Sequence, residues 1–218
     1  ALTVLTSGVS AAPLVRWLGL SRAAPQGVLI LGANSIARLL GTAIKDRGFR
    51  VILVDSDSAK VDKAHALGLA AEKGEILSRR VLDRLDLGDI GHFVALTTND
   101  DVNTLATARF RKILGEENVH QIHPSTELGR AEPEYADELQ AHHVACGRTL
   151  DELDTLTRSG AVVTAIRVDH ENVIEEARRN FGPDAVPLFV VQNDEKLAFI
   201  HPKEELVASG KLVVLTPP

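Results

Sequence analysis

The stretch Gly27-Val28-Leu29-Ile30-Leu31-Gly32-Ala33-Asn34-Ser35-Ile36-Ala37 and its continuation Arg50-Val51-Ile52-Leu53-Val54-Asp55 decide the fold. Val28 to Leu31 is a short, wholly apolar run, which reads as a parallel strand buried on both faces. It ends at Gly32. A helical pattern follows, with Ile36, Leu39, Leu40, Ala43 and Ile44 on one face, and it stops at Gly48. The second apolar run closes on Asp55, about 20 residues beyond the glycine turn. Strand, glycine turn, helix, strand, acid is the order of a dinucleotide-binding βαβ unit.

The chemistry explains the order. Gly32 permits a tight turn out of the strand, and the backbone amides that open the helix can face an anion favoured by the helix dipole. An acid at the end of the second strand can accept hydrogen bonds from a ribose diol. A carboxylate there repels a 2′-phosphate, so NAD(H) or an adenine nucleotide is favoured over NADP. The pattern G-x-G-x-x-G/A is incomplete, because Asn34 stands at the second glycine and Ala37 at the third. Asparagine tolerates left-handed backbone angles, so the turn is expected to survive. Its side chain could obstruct the pyrophosphate. Two readings stay open, a nucleotide site and a turn kept for structure alone.

The alternation continues. Ser58 to Leu67 reads as a helix, Leu69 to Ala71 as a strand, Ile76 to Leu85 as a helix and His92 to Leu96 as a strand. The last ends in Thr97-Thr98-Asn99-Asp100-Asp101. Val102, Leu105, Ala106, Phe110 and Ile113 mark another helical face, and Val119–Ile122 and His142–Ala145 read as a fifth and sixth strand. The predicted fold class is α/β, a Rossmann-like doubly wound parallel sheet. Ligands on such sheets lie beyond the carboxyl ends of the strands, where the Gly32 turn, Asp55 and the Thr97–Asp100 loop converge.

After Cys146 the pattern changes. A helix is expected over Thr149–Thr157, a strand over Ala161–Val168, a helix over Glu171–Asn180, and strands over Pro187–Val191, Lys196–Ile200 and Leu212–Leu215. Gln192-Asn193-Asp194-Glu195 makes a hairpin of the middle pair. This is a small α+β lobe, expected to be separate, over residues 147–218, after a Rossmann-type domain over 25–146.

Composition narrows the function. With 24 basic and 30 acidic residues the formal charge is −6, which argues against nucleic acid as a partner. The single cysteine excludes a disulfide framework and a multi-cysteine metal site. Cys146 itself reads as a buried structural residue. His120 with His123, and His142 with His143, suggest a metal site only weakly, since strand alternation would turn the first pair to opposite faces. No Ser-His-Asp order, paired-carboxylate motif or Walker A lysine stands out.

Residues 1–15 carry no formal charge and no basic leader, so a signal peptide is not expected. As a helix they would reach about 22 Å, short of a hydrocarbon core of about 30 Å. They read either as an arm or short helix on the domain, or as the last turns of a membrane helix. Arg16, Trp17 and Arg22 would suit the cytoplasmic interface. The absence of methionine fits a piece of a longer protein.

Together, Val28-Leu29-Ile30-Leu31-Gly32-Ala33-Asn34, Val51-Ile52-Leu53-Val54-Asp55-Ser56-Asp57 and Thr98-Asn99-Asp100-Asp101-Val102-Asn103 resemble the RCK (KTN or TrkA-N) domain. That family regulates potassium channels, potassium uptake systems and some cation/proton antiporters. Val54-Asp55-Ser56-Asp57 matches its I-D-x-D motif and Asp100-Asp101-Val102-Asn103 its D-D/E-x-N. The first glycine motif is degraded at Asn34, and Gly74-Glu75-Ile76 only approximates the G-D-A of the third. Residues 5–20 and the closing Gly210-Lys211-Leu212-Val213-Val214-Leu215 resemble NhaP-type sodium/proton antiporters, in which the last membrane segment leads into a cytosolic domain.

The resemblance implies that residues 1–24 are the end of a membrane segment and a linker. The rest would be a non-enzymatic cytoplasmic domain of an integral inner-membrane protein. Its partners would be the transmembrane domain of the same chain, a second copy in a homodimer, and NAD(H) or an adenine nucleotide such as AMP or ATP. Gly32, Ala33, Asn34, Ser35 and Ile36 would face phosphate, Asp55 and Ser56 would hold ribose, and Thr97, Thr98, Asn99 and Asp100 would flank the ligand. Two alternatives stand beside this. One is a ligand-free dimerisation module. The other is a fragment of an NAD-dependent dehydrogenase, for which the residues after Cys146 offer no convincing catalytic arrangement.

Overall fold

A computed structural model describes residues 25–125, 142–201 and 207–218. Residues 1–24, on which the membrane-segment expectation falls, lie outside the described residues. Among the described residues no helix is long and apolar enough to cross a membrane.

Strand β1 (Gly27–Leu31) is buried at every position. It pairs in parallel with β2 (Val51–Asp55) on one side and β4 (Ile90–Ala95) on the other. With β3 (Ala70–Lys73), β5 (Val119–Gln121) and β6 (His142–His143) these form a six-stranded parallel sheet in the order β3-β2-β1-β4-β5-β6. Helices α1 (Ser35–Lys45), α2 (Ser58–Ala66), α3 (Arg79–Arg84) and α4 (Asp100–Leu114) connect the first five strands. This is the doubly wound Rossmann-like sheet expected from the alternation.

Strand periodicity sorts the core into two layers. Leu29, Leu31, Ile52, Val54, Phe93 and Ala95 face one way and pack with Val81, Ala106 and Phe110 of α3 and α4. Val28, Ile30, Val51, Leu53, Val94 and Leu96 face the other way. There α1 lies against β1 and β2 through Ile36, Leu40, Ala43 and Ile44. The same face beyond β1 is covered by the C-terminal residues.

Those residues form α5 (Leu150–Arg158), β7 (Val162–Asn172), α6 (Val173–Phe181), β8 (Val186–Gln192), β9 (Leu197–Phe199) and β10 (Val207–Thr216). The strands make an antiparallel sheet in the order β7-β10-β8-β9. The expected hairpin is present, with Phe189 opposite Phe199. The lobe shares its core with the parallel sheet: Leu153, Leu188, Phe199 and Leu215 join the cluster that holds Ile36, Leu40, Leu96 and Ile122. An exposed apolar half-sheet would cost too much, and the lobe supplies its cover.

Some boundaries differ from the sequence expectation. The helix expected over Ile76–Leu85 is only α3, because Gly74 turns the chain at φ +153° and Ile76 is buried in the following loop. The helix expected from Glu171 begins at Val173, since Asn172 ends β7 and caps α6 through its side chain. Strand β10 is longer than Leu212–Leu215 because it pairs on both sides, with β7 and β8. Cys146 is half-buried rather than buried; its backbone is left-handed, and burial raises its thiol to about 11.

Candidate functional site

The carboxyl ends of β1, β2 and β4 enclose a cavity of about 360 Å³, lined by Asn34, Asp55, Ser56, Lys60, Glu75, Thr97, Thr98 and Asn99 among others. That volume lies at the lower end of small-molecule sites, roughly 300–1,000 Å³.

The glycine turn is fixed from the backbone outward. Gly32 has φ +107°, and a Cβ there would stand 2.6 Å from the Leu96 carbonyl oxygen. Only glycine lets β1 leave the sheet so close to β4. Asp55 holds the turn from β2. Its Oδ2 accepts the Ala33 N–H at 2.8 Å and its Oδ1 accepts the Asp57 N–H at 2.9 Å. A carboxylate has about four lone-pair sites, so roughly two remain for a ligand hydroxyl. Lys60, on the first turn of α2, brings its ammonium to 3.9 Å from Asp55 Oδ2.

Asn34 does not use the left-handed angles that asparagine tolerates, and the turn survives without them. Its backbone is extended, at φ −67° and ψ −178°, and its side chain caps α1 by accepting the Ala37 N–H. The same amide donates to the Leu96 carbonyl. Asparagine here ties the helix start to the end of β4, which a glycine could not do.

The loop after β4 is fixed in the same manner. Asn103 is buried; its Oδ1 accepts from the Thr97 N–H at 3.2 Å and the Thr97 hydroxyl at 2.7 Å, and its Nδ2 donates to the Thr97 carbonyl at 3.0 Å. Asn99 caps α4 by accepting the Val102 N–H. Thr97, Thr98 and Asn99 are thereby presented to the cavity.

The structure brings six of the sequence-predicted residues to the cavity wall: Asn34, Asp55, Ser56, Thr97, Thr98 and Asn99. Gly32 and Ala33 build the turn beneath it. The side chains of the other three go elsewhere. Ser35 Oγ donates to Asp154 Oδ1 of α5 at 2.8 Å, Ile36 enters the core, and Asp100 Oδ2 accepts the Ser125 N–H at 3.2 Å. Neither Ser35 nor Ile36 lines the Asp55 cavity, although both open the first turn of α1. Sequence reasoning missed Lys60 and Glu75. Lys60 could have been found from its place in the first turn after the Asp55-Ser56-Asp57 cap. Glu75 follows from the tight turn at Gly74, where a Cβ would meet Val81 Cγ2 at 2.5 Å.

Comparison with known proteins gives the following. The TrkA-N domain family model matches residues 28–147. No curated protein matches the sequence. Among solved structures, the NAD(P)-binding domain of an exopolyphosphatase-related protein from Archaeoglobus fulgidus is 15% identical, with 61% of this chain and 94% of that one covered at a TM-score of 0.46. The TrkA-N domain of the inner membrane protein ybaL from Escherichia coli is 14% identical, with 63% and 96% covered and a TM-score of 0.46. The GsuK channel bound to NAD is 14% identical at a TM-score of 0.42; 98% of this chain is covered but only 42% of the channel chain. With its glycine turn, its strand-end acid and a family match over more than half its length, the chain belongs to the TrkA-N domain family.

Proposed function

We propose that the chain is a nucleotide-responsive regulatory domain, joined on the cytosolic side to the membrane part of an NhaP-type sodium/proton antiporter. The ligand is NAD(H) or an adenine nucleotide such as AMP or ATP, and the domain works as a homodimer. The cavity beside Asp55 carries this reading: a carboxylate with acceptor capacity left over stands next to a glycine turn and the first amides of α1. That pairing suits a ribose diol next to a phosphate. The remaining wall offers hydroxyls, amides, the Lys60 ammonium and the Glu75 carboxylate. A ligand can bias transport only by its differential affinity for two states of the domain.

Titration calorimetry with NAD+, NADH, AMP and ATP tests the reading. One of them should bind, and Asp55→Ala should weaken it by about tenfold or more, the worth of a charge-assisted hydrogen bond. A thermal melt of the variant separates lost binding from a loosened turn. Silence from all four ligands at millimolar concentration would sink it. The Asn34 bridge to Leu96 favours a second reading, a dimerisation module without ligand. Silent titrations together with a concentration-dependent dimer in analytical ultracentrifugation would establish that alternative.

A further inference from the structure

Positive charge is concentrated on one part of this acidic chain. A groove of about 870 Å³ runs between the outer flank of α1 and the edge strand β7. Its floor is apolar, with Leu39, Ala43, Val163 and Ala165. Its rim carries Arg38, Arg47, Arg167 and Lys211 against a single acid, Asp46. Among the described residues, the ion pairs within 4 Å all involve cations other than these four.

The arrangement costs stability as it stands. Arg167 and Lys211 are directly opposite each other in the β7–β10 ladder, and like charges so placed repel. Arg47 is half-buried, with its guanidinium 5.6 Å over the Phe189 ring and donating to the Ala43 carbonyl at 2.6 Å. Arg38 donates to the carbonyl of Ala33 in the glycine turn. Both arginines are thus held by neutral partners, with donors of their planar forks to spare. Three guanidinium groups and one ammonium line a single groove with one acid among them.

We propose that this groove binds a small, freely diffusing polyanion carrying two or more phosphoryl groups, at a site distinct from the Asp55 cavity. Arginine forks suit phosphoryl oxygens in bidentate pairs. Two or more linked phosphoryl groups place enough charge in one groove to offset the repulsion between β7 and β10. The two sites meet at one turn. Ser35 lines the groove while its neighbour Asn34 lines the Asp55 cavity.

Inorganic tripolyphosphate is the probe, titrated calorimetrically into the 218-residue chain at low ionic strength. One-to-one binding is expected. The variant carrying both Arg167→Gln and Lys211→Gln should weaken it by roughly tenfold or more, as loss of two charge-assisted contacts predicts. Both residues are exposed, and a thermal melt checks that the variant is folded. Asp55→Ala should leave tripolyphosphate binding unchanged, even if the nucleotide reading fails. No heat with the parent chain overturns the proposal, as does undiminished binding by the double variant. Tighter tripolyphosphate binding by Asp55→Ala, the result of removing a carboxylate that repels phosphate, would place the anion in the nucleotide cavity and overturn it too. Sedimentation with vesicles of phosphatidylcholine and phosphatidylglycerol, without binding of free tripolyphosphate, would assign the groove to lipid phosphate instead.

Discussion

Two polar regions lie on the same parallel sheet and are treated in opposite ways. At the carboxyl ends of β1, β2 and β4, Asp55, Asn34, Thr97 and Asn103 are tied to backbone groups by short hydrogen bonds. Under the C-terminal lobe, His92, His120 and His142 lie on adjacent strands β4, β5 and β6, with Phe199 and His201 against them. The ring centroids are 5.9 Å apart for His92–His120, 5.1 Å for His120–His201 and 4.5 Å for His142–His201. There, Nδ1 of His92 and both ring nitrogens of His120 are buried without a hydrogen-bond partner among the described residues. The first region is held by its own hydrogen bonds. The second stores a cost that depends on the charge of its imidazoles.

The largest effect should come from breaking the first region at its tightest point. Gly32→Val places a branched side chain at φ +107° against the Leu96 carbonyl. It should lower unfolding free energy by about 3–5 kcal/mol, read from a urea denaturation curve. The next effect belongs to the histidines. Burial lowers His92 to about 4 and pushes His120 well below its ordinary value, with repulsion from His201, His92 and His142 adding to the latter. The folded state therefore binds fewer protons than the unfolded one. Stability is complete above pH ~6.5, the unfolded value, and falls as the pH drops towards 4. Between pH 7 and pH 5, His92 alone should cost about 2 kcal/mol, and His120→Phe should flatten the slope measured by pH-dependent denaturation. A slope unchanged in His120→Phe would remove His120 from this account.

The sheet was legible because its strands are short apolar runs closed by residues with mechanical reasons to be there. Gly32 and Asp55 follow from the turn and from the strand end, and both sit where spacing placed them. What periodicity hid was the partner of each polar group. Nothing local marks Asn34 as a bridge to Leu96, because the acceptor lies 62 positions away. Nor does sequence spacing bring His92, His120, His142 and His201 together, since three strands and a second sheet meet only in the folded chain. That the lobe shares its core with the parallel sheet was hidden for the same reason. Helix periodicity shows that α1 has an apolar face, but not that Leu188 and Phe199 share the cluster that holds Leu96 and Ile122.

Smaller effects sharpen the comparison within the first region. Asn103→Ala removes three contacts to the half-buried Thr97, among them those to its N–H and carbonyl, so about 1–3 kcal/mol should be lost in the same denaturation experiment. The β4–α4 loop should then exchange its amide hydrogens faster. Asn34→Gly is the finest test, because it restores the glycine that the dinucleotide pattern prefers. Glycine is a tolerable N-cap, and replacing asparagine by it costs a few tenths of a kcal/mol. The lost Leu96 contact adds to this, for a total of about 1 kcal/mol. If the asparagine side chain obstructs pyrophosphate, NAD+ should bind the variant several-fold tighter by calorimetry despite the looser turn. If its role is to preorganise the amides of Ser35 and Ile36, affinity should fall together with stability. The sign of that one change decides whether the polar network around Gly32 was built for a ligand or in place of one.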